Sequence, residues 1–381
     1  MIPNSLLTNE LVTRENALTF QRFIGMLPNP DKVILQNGGV GKIFPELKND
    51  PHIWSCMQSR KSGILAQDWE IQDKEASSGV ANFVKEVFKK IDVFTLISNI
   101  LEAVFTGMQV LEIIWQFDAN GYIIPQDIIA KPLEWFYFDE KNNLKFRKQG
   151  NTQGETLPDF KFLIPRYFPT FNNPYGEALL SKCYWPATIK NLGFRFWMNF
   201  LEKYGLPIII GQYTYSPTAE ELQSLSDRLK ELVESQAIAT PNDINIDIRD
   251  IGQSKSVDLY EQLIKMANSE ISKVLLSETL TTEIERGSYA AAATHYKVRE
   301  DVIMGDRILV ENTINTLCNY IIELNFPEKQ SPIFKFRTQR NLEFDIENDV
   351  KLASIDNFNF TKEYFMKKYD LKENEFFIKN I

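Results

Sequence analysis

The sequence predicts an α+β chain dominated by long helices, and three observations carry that expectation. Short helical stretches mix with aromatic-rich strands up to about residue 176; two longer helical patterns then bracket an acidic insert; and a further helix starts at the Ala290-Ala291-Ala292-Ala293 run and can reach Leu324.

In chain order, Asp50 and Pro51 supply a cap and a first-turn proline for a helix through His52-Ile53-Trp54 to Leu65, and Asp68 to Gln72 then alternates like a strand. Helical spacing returns at Gly79–Lys90 and Phe94–Phe105. Strand patterns follow at Gln109–Phe117, Tyr122–Ile129, Glu134–Phe138 and Asn143–Lys148, separated by turn residues. A small sheet packed by helices is expected to bury Trp115, Trp135, Phe136 and Phe138. From Pro174-Tyr175-Gly176 one helical pattern runs from Glu177 to Tyr204, with a bend expected at Pro186 because proline lacks a backbone donor and crowds the preceding turn. Its apolar residues, Leu180, Trp185, Ile189, Leu192, Phe196, Trp197 and Phe200, cover more than one face, so neighbours should enclose it. A polar stripe of Thr188, Asn191, Arg195, Asn199 and Glu202 suits a water-filled channel or a solvated face.

Residues 205 to 256 differ in composition. Strand patterns at Pro207–Gly211 and Ile244–Ile248 flank a polar helix, Thr218–Glu234, and acidic residues outnumber basic ones. The next helix, Asp258 to Glu278, is expected to turn Leu259, Leu263, Met266, Ile271, Val274 and Leu275 inward, leaving Glu261, Lys265, Asn268 and Ser272 on a polar face. Thr279 to Gly287 breaks the pattern. In the helix that follows, Val310, Ile314, Leu317, Ile321 and Leu324 recur every three or four residues. A short strand, Ile333–Thr338, and a charged, Phe-rich helical tail close the chain.

Composition narrows the function. A chain of 381 residues with 44% hydrophobic residues can bury a large core, and a net charge of -9 supplies no global positive field to draw it onto DNA or an anionic membrane. Cys56, Cys183 and Cys318 lie far apart and read as reduced core residues rather than a zinc site or a disulfide framework. Neither a signal peptide nor a membrane-spanning run is found. Asn37-Gly38-Gly39-Val40-Gly41-Lys42 falls short of a phosphate loop: Gln36 stands at the first glycine position, Ile43 at the hydroxyl position, and the segment reads as a flexible turn. His52 and His295 have no metal-ligand spacing, and no nucleophile elbow or carboxylate dyad is present. No catalytic residue, cofactor or metal is expected.

Several segments together resemble the Mu-like phage portal family. Asn173-Pro174-Tyr175-Gly176-Glu177-Ala178-Leu179-Leu180, then a long aromatic helix and Lys203-Tyr204-Gly205-Leu206-Pro207, resembles that family's first stem helix and its exit to the clip. Thr279-Leu280-Thr281-Thr282-Glu283, Gly287-Ser288, Ala290, His295, Val298-Arg299, Asp301, Asp306, Asn315 and Glu323-Leu324-Asn325-Phe326 follow its tunnel-loop region and long helix. Gly38 to Ile71, with Asp50-Pro51-His52-Ile53 and Asp68-Trp69, resembles its amino-terminal wing. Leu276-Ser277-Glu278 departs from the Gly-Gln pair of the family, and the short tail after Asn325 implies a short crown.

The resemblance implies a portal fold: wing 1–176, first stem helix 177–204, clip 205–256, second stem helix 257–278, tunnel loop 279–289, long wing helix 290–325, and C-terminal wing with short crown 326–381. It implies a channel lined by Thr281, Thr282, Glu283, Glu285, Arg286 and Ser288, with Lys265 as a further lumen-facing charge. Phe196, Trp197, Phe200, Leu263 and Ile271 would pack the stem, and Ile208, Ile210, Ile244, Ile246 and Ile248 would build the clip. The implied partners are further copies in a ring, usually a dodecamer, at one capsid vertex; terminase; neck or head-completion proteins; capsid or scaffold proteins; and double-stranded DNA, passed weakly and without sequence preference. Such a protein is made in the host cytoplasm and resides in the virion. The alternatives are a non-viral structural or adaptor protein assembling through its helices, and a nucleotide-dependent enzyme.

Overall fold

The computed structural model describes residues 27, 29–74, 76–148, 154–204, 208–234, 244–249, 256–278, 289–337, 342–354 and 360–369. Two compact units divide the chain, one of Met1–Ala66 with Ile71–Phe334, the other of Gln67–Glu70 with Lys335–Ile381.

The larger unit opens with α1 (Lys32–Gln36), α2 (Val40–Lys48) and α3 (Pro51–Leu65). The segment Asn37 to Lys42 is only half a turn: Gly38 and Gly39 have positive φ, but Val40, Gly41 and Lys42 already form the first turn of α2. Asp50 caps α3 by accepting from His52 N–H and Ile53 N–H, with Pro51 at the first position, where its missing donor costs nothing. After β1 (Trp69–Gln72) come α4 (Ser78–Phe88) and α5 (Val93–Thr106). Beyond its first turn α5 is the most buried helix, with Leu96, Ile97, Ile100, Leu101, Val104 and Phe105 inside and Phe94 and Thr95 exposed at its start. It ends at Gly107, whose φ of 88° and close approach to the Tyr175 and Gly176 carbonyls leave no room for a Cβ.

Two small sheets replace the single sheet expected from the sequence. β2 (Val110–Phe117) pairs antiparallel with β3 (Ile123–Lys131) on one side and β7 (Phe162–Leu163) on the other; β4 (Phe136–Phe138), β5 (Leu144–Phe146) and β6 (Glu155–Thr156) form the second sheet. Phe136 and Phe138 join Met108, Val110 and Leu144 in one core cluster, as expected. Trp135 does not. It lies in a 3-10 turn, Leu133–Trp135, rather than in a strand, and the turn directs its ring to solvent. Trp115 is half-buried, its indole N–H donating to the Phe160 carbonyl.

The expected continuous helix from Glu177 is two helices. α6 (Leu179–Lys182) stops at Cys183, and α7 restarts as Tyr184–Tyr204. Pro186 therefore sits in a first turn, where a helix needs no donor, and no mid-helix bend arises from it. The insert holds β8 (Ile208–Tyr213), α8 (Ala219–Glu234) and β9 (Ile244–Arg249). α9 (Ser256–Leu276) returns alongside α7. α10 (Tyr289–Asn325) spans 37 residues, about 55 Å at the helical rise, and buries Val310, Ile314, Leu317 and Ile321 completely. Asn315 closes it onto the following strand by accepting from Phe334 N–H and donating to the Phe334 carbonyl.

β10 (Ile333–Phe336) leads into the smaller unit, where Arg337 donates to the Asp68 carbonyl and pairs with Glu70. There α11 (Leu342–Ala353) and α12 (Lys362–Tyr369) are tied by Asp349, which accepts from Lys368 Nζ and from the Tyr364 and Tyr369 hydroxyls.

Candidate functional site

The helices α7 and α9 hold the expected stem residues Phe196, Trp197, Phe200, Leu263 and Ile271, together with Lys265. On α7 the inward stripe is Ala187, Lys190, Gly193, Trp197 and Phe200, at three- and four-residue spacing. Gly193 lets α9 approach closely, since an added Cβ would stand 2.9 Å from Leu263 Cδ2. Phe200 meets Tyr260 with ring centroids 5.9 Å apart. Ile271 is fully buried, and Leu263, Trp197 and Phe200 are half-buried. Among the described residues the Trp197 indole N–H, itself buried, finds no acceptor.

Phe196, expected to pack within or between subunits, has no cover within the single chain. It is 60% exposed, and Trp185, Ile189, Leu192 and Met198 are exposed with it. Leu259 and Met266 of α9, expected inward, also face out. A helix pair has one mutual seam, and the remaining apolar faces of both helices stay bare within a single chain. Of the polar stripe, Asn191, Arg195, Asn199 and Glu202 are exposed and Thr188 is half-buried, and Lys265 forms a surface pair with Glu261 at 2.9 Å.

Asn268 and Ser272 reverse the expectation in the other direction: both turn inward. Asn268 Oδ1 accepts from Lys190 Nζ at 2.9 Å, and the same ammonium meets Asp50 Oδ1 at 2.8 Å and Oδ2 at 2.7 Å. His52 Nε2 lies 2.9 Å from the Asn268 carbonyl and 2.8 Å from Ser272 Oγ. These buried polar groups need partners, and the junction of α3, α7 and α9 supplies them. Farther along α3, Lys61 pairs with Glu102 of α5, which Lys48 also reaches at 2.6 Å. Burial alone would raise the Glu102 carboxyl; the Lys48 and Lys61 charges outweigh it and hold it below its ordinary value. Burial pushes the Cys183 and Cys318 thiols up to about 12, so neither is a nucleophile near neutrality. Among the described residues no group of His, Cys, Asp and Glu could hold a metal, and no helix is long and apolar enough to cross a membrane.

In the insert, β8 and β9 pair antiparallel over their full length, Ile208 opposite Arg249 and Tyr213 opposite Ile244. Ile210, Ile244 and Ile246 are half-buried, and the side chains of Ile208 and Ile248 lie outside the described residues. α8 covers the sheet closely at Gly211, where an added Cβ would stand 3.0 Å from Leu225 and Leu229. Thr281, Thr282, Glu283, Glu285, Arg286 and Ser288 all lie outside the described residues.

The sequence reading missed the buried ion pairs of α3: Asp50 with Lys190 at this junction, and Arg60 with Asp306 of α10 farther along the helix. The one signal available was the placing of Arg60, Lys61 and Lys190 on otherwise inward helix stripes.

A family model described as the portal protein of Mu bacteriophage matches residues 42–371. The chain belongs to that portal family. Over 311 residues it is 24% identical to the portal protein of Escherichia phage Mu, a match covering 76% of this chain and 59% of the phage protein. Over 271 residues it is 24% identical to the Mu-like prophage FluMu protein gp29 of Haemophilus influenzae, covering 68% of this chain and 51% of that one. The chain thus spans less than two thirds of the length of these relatives.

Solved structures share the fold. A chain from the neck of the empty gene transfer agent particle, of C6 symmetry, superposes with a TM-score of 0.63 at 11% identity, covering 90% of this chain and 98% of that one. A chain from the C12-symmetric neck of the native particle gives 0.62 at 10% identity, covering 88% and 97%. At such identities the likeness establishes the fold and no residue role. Of the residues that carried the family resemblance, Asp50, His52, Asn173, Arg299, Asp306, Asn315 and Asn325 all make hydrogen bonds that join separate stretches of the unit or set its turns.

Proposed function

We propose that copies of this chain close into a ring at one capsid vertex, forming the conduit through which DNA is packaged and ejected. The observation that carries this reading is the bare apolar surface of α7 and α9, with Trp185, Ile189, Leu192 and Phe196 on one side of α7 and Leu259 and Met266 on α9 facing out of the single chain. Such a surface is larger than a solitary soluble chain needs, and in a ring one heterologous interface covers it in every copy. The C12 neck of the gene transfer agent supports twelve copies. In this reading residues 1–176 form the wing, 177–204 and 257–278 the stem, 205–256 the clip, 279–289 the tunnel loop, 290–325 the long wing helix, and 326–381 the C-terminal wing and crown. The clip serves terminase first and neck proteins afterwards, and the ring seats against capsid or scaffold proteins. The role is structural rather than catalytic, with assembly in the host cytoplasm and residence in the virion.

The net charge of -9 suits a conduit, because dense Lys and Arg contacts would hold each phosphate by counterion release. Glu283 and Glu285 then repel DNA while Arg286 attracts it, so the channel holds DNA weakly. The test has two parts. Negative-stain images of purified protein should show rings with a central hole; a small oligomer without a channel would instead favour an adaptor. In particles, Glu283→Lys with Glu285→Lys should slow packaging and make it more salt-sensitive, and wild-type rates at two salt concentrations would remove this loop from the channel.

A further inference from the structure

Helix α3 has two working faces, and Arg60 belongs to both. His52, Cys56 and Arg60, four residues apart, lie on one face and meet α9: His52 at Asn268 and Ser272, Cys56 Sγ at 3.8 Å from Ser272 Oγ, and Arg60 at Leu275. Ser59, Arg60 and Gly63 form the adjoining face and meet α10. There Arg299 donates to the Ser59 carbonyl and hydroxyl, an added Cβ on Gly63 would stand 2.8 Å from Ile303 Cδ1, and Arg60 reaches Asp306.

The guanidinium divides its donors between the two helices. Nε and Nη2 donate to the two Asp306 oxygens at 2.7 and 2.9 Å, Nη1 donates to the Leu275 carbonyl at 2.7 Å, and Nη2 also reaches the Tyr167 hydroxyl at 3.2 Å. Leu275 lies in the last turn of α9, whose carbonyls have no partner within the helix, and a cation there also suits the helix dipole. Arg60 is 5% exposed and Asp306 1% exposed. Burial works against the Arg60 charge, but the hydrogen bonds and charge of Asp306 outweigh it and hold the group further above its ordinary value. Only a forked, planar cation can serve a bidentate carboxylate and a carbonyl on another helix together; a lysine ammonium is a point charge.

We infer that Arg60 is a positioning residue: it locks the last turn of α9 in register with α10, and so fixes the helix before residues 279–288 against the helix after them. Its consequence for DNA rests on the reading of those residues as the channel loop.

The test uses the full-length chain with spin labels on Lys273→Cys in α9 and Glu300→Cys in α10, both exposed, the labelled chain being diluted into unlabelled protein. The native cysteines are buried and stay unlabelled. The wild-type pair should give one narrow distance distribution, and Arg60→Lys and Arg60→Met should shift or widen it. Lys61→Met is the control, one residue along the same helix: it breaks the Glu102 pair with α5 and should leave the distribution narrow. An Arg60→Lys distribution that overlays the wild type, or a Lys61→Met distribution that widens equally, overturns the inference. In particles, Arg60→Lys should package several-fold less DNA. Wild-type packaging together with a widened distribution would leave Arg60 as the positioning residue and overturn the channel reading instead.

Discussion

Phe196→Lys separates the folding of the chain from the assembly of the ring. A phenylalanine offers roughly 200 Å² of accessible surface. With 60% of Phe196 exposed in the single chain, about 120 Å² of that is left for a neighbour to cover. At about 25 cal/mol per Å², full coverage contributes ~3 kcal/mol at each subunit interface. A lysine at this position can lay its methylenes along the helix and keep its ammonium in water, so folding of the chain should change by no more than about 1 kcal/mol. In a closed interface the same ammonium loses its water without gaining a carboxylate, which costs several kcal/mol more. The sum, on the order of 5 kcal/mol, weakens each contact by more than about a thousandfold. The assays are thermal melting of the chain and ring yield by sedimentation across a concentration series. Near wild-type melting with loss of rings is expected. Rings at wild-type yield would show that this flank is not the interface, and a large melting loss with normal rings would show that Phe196 packs within the chain.

Two further outcomes follow from the buried charges. Asp50→Ala removes the α3 cap, worth about 1 kcal/mol, and strands Lys190, a buried charge whose lost partner typically costs about 3–5 kcal/mol. The urea midpoint should fall sharply and recover in large part when Lys190→Met is added, and a midpoint near wild type for the single variant would refute the pairing. Because the Glu102 carboxyl is held below its ordinary value of 4.5, its contribution is fully present above that value and is lost as pH falls through its lower, folded-state value. The melting difference between wild type and Glu102→Gln should therefore shrink on acidification; a difference that stays constant would mean that Glu102 gains nothing from Lys48 and Lys61.

Much of the architecture was legible because it is local. Asp50-Pro51 ahead of an apolar run specifies a capped helix whatever surrounds it, and the three- and four-residue recurrence from Val310 to Ile321 specifies one buried stripe. The Thr279–Glu283 run and the landmarks around it resemble the portal family, to which the family model matching residues 42–371 also assigns the chain. Errors arose where a residue type has two uses. Asn268 and Ser272 read as a solvated face, but His52 and Lys190, distant in sequence, need their oxygens inside. Trp135 read as a core ring because aromatic residues on both sides of it are strand-like, yet the turn after Pro132 points it outward.

The sequence by itself determined most of the helices and the acidic insert, since periodicity, capping and composition are properties of neighbouring residues, and its quoted segments carried the resemblance to the family. Only the tertiary structure decided which apolar face of α7 is used within the chain and which is left for a neighbour. A helix with apolar residues on several faces has no preferred one until a partner occupies it, and here α9 occupies the side opened by Gly193. The same holds for Arg60: its charge is written in the sequence, but its partners Asp306 and Leu275 come from helices more than two hundred residues away, and only folding brings them to one guanidinium.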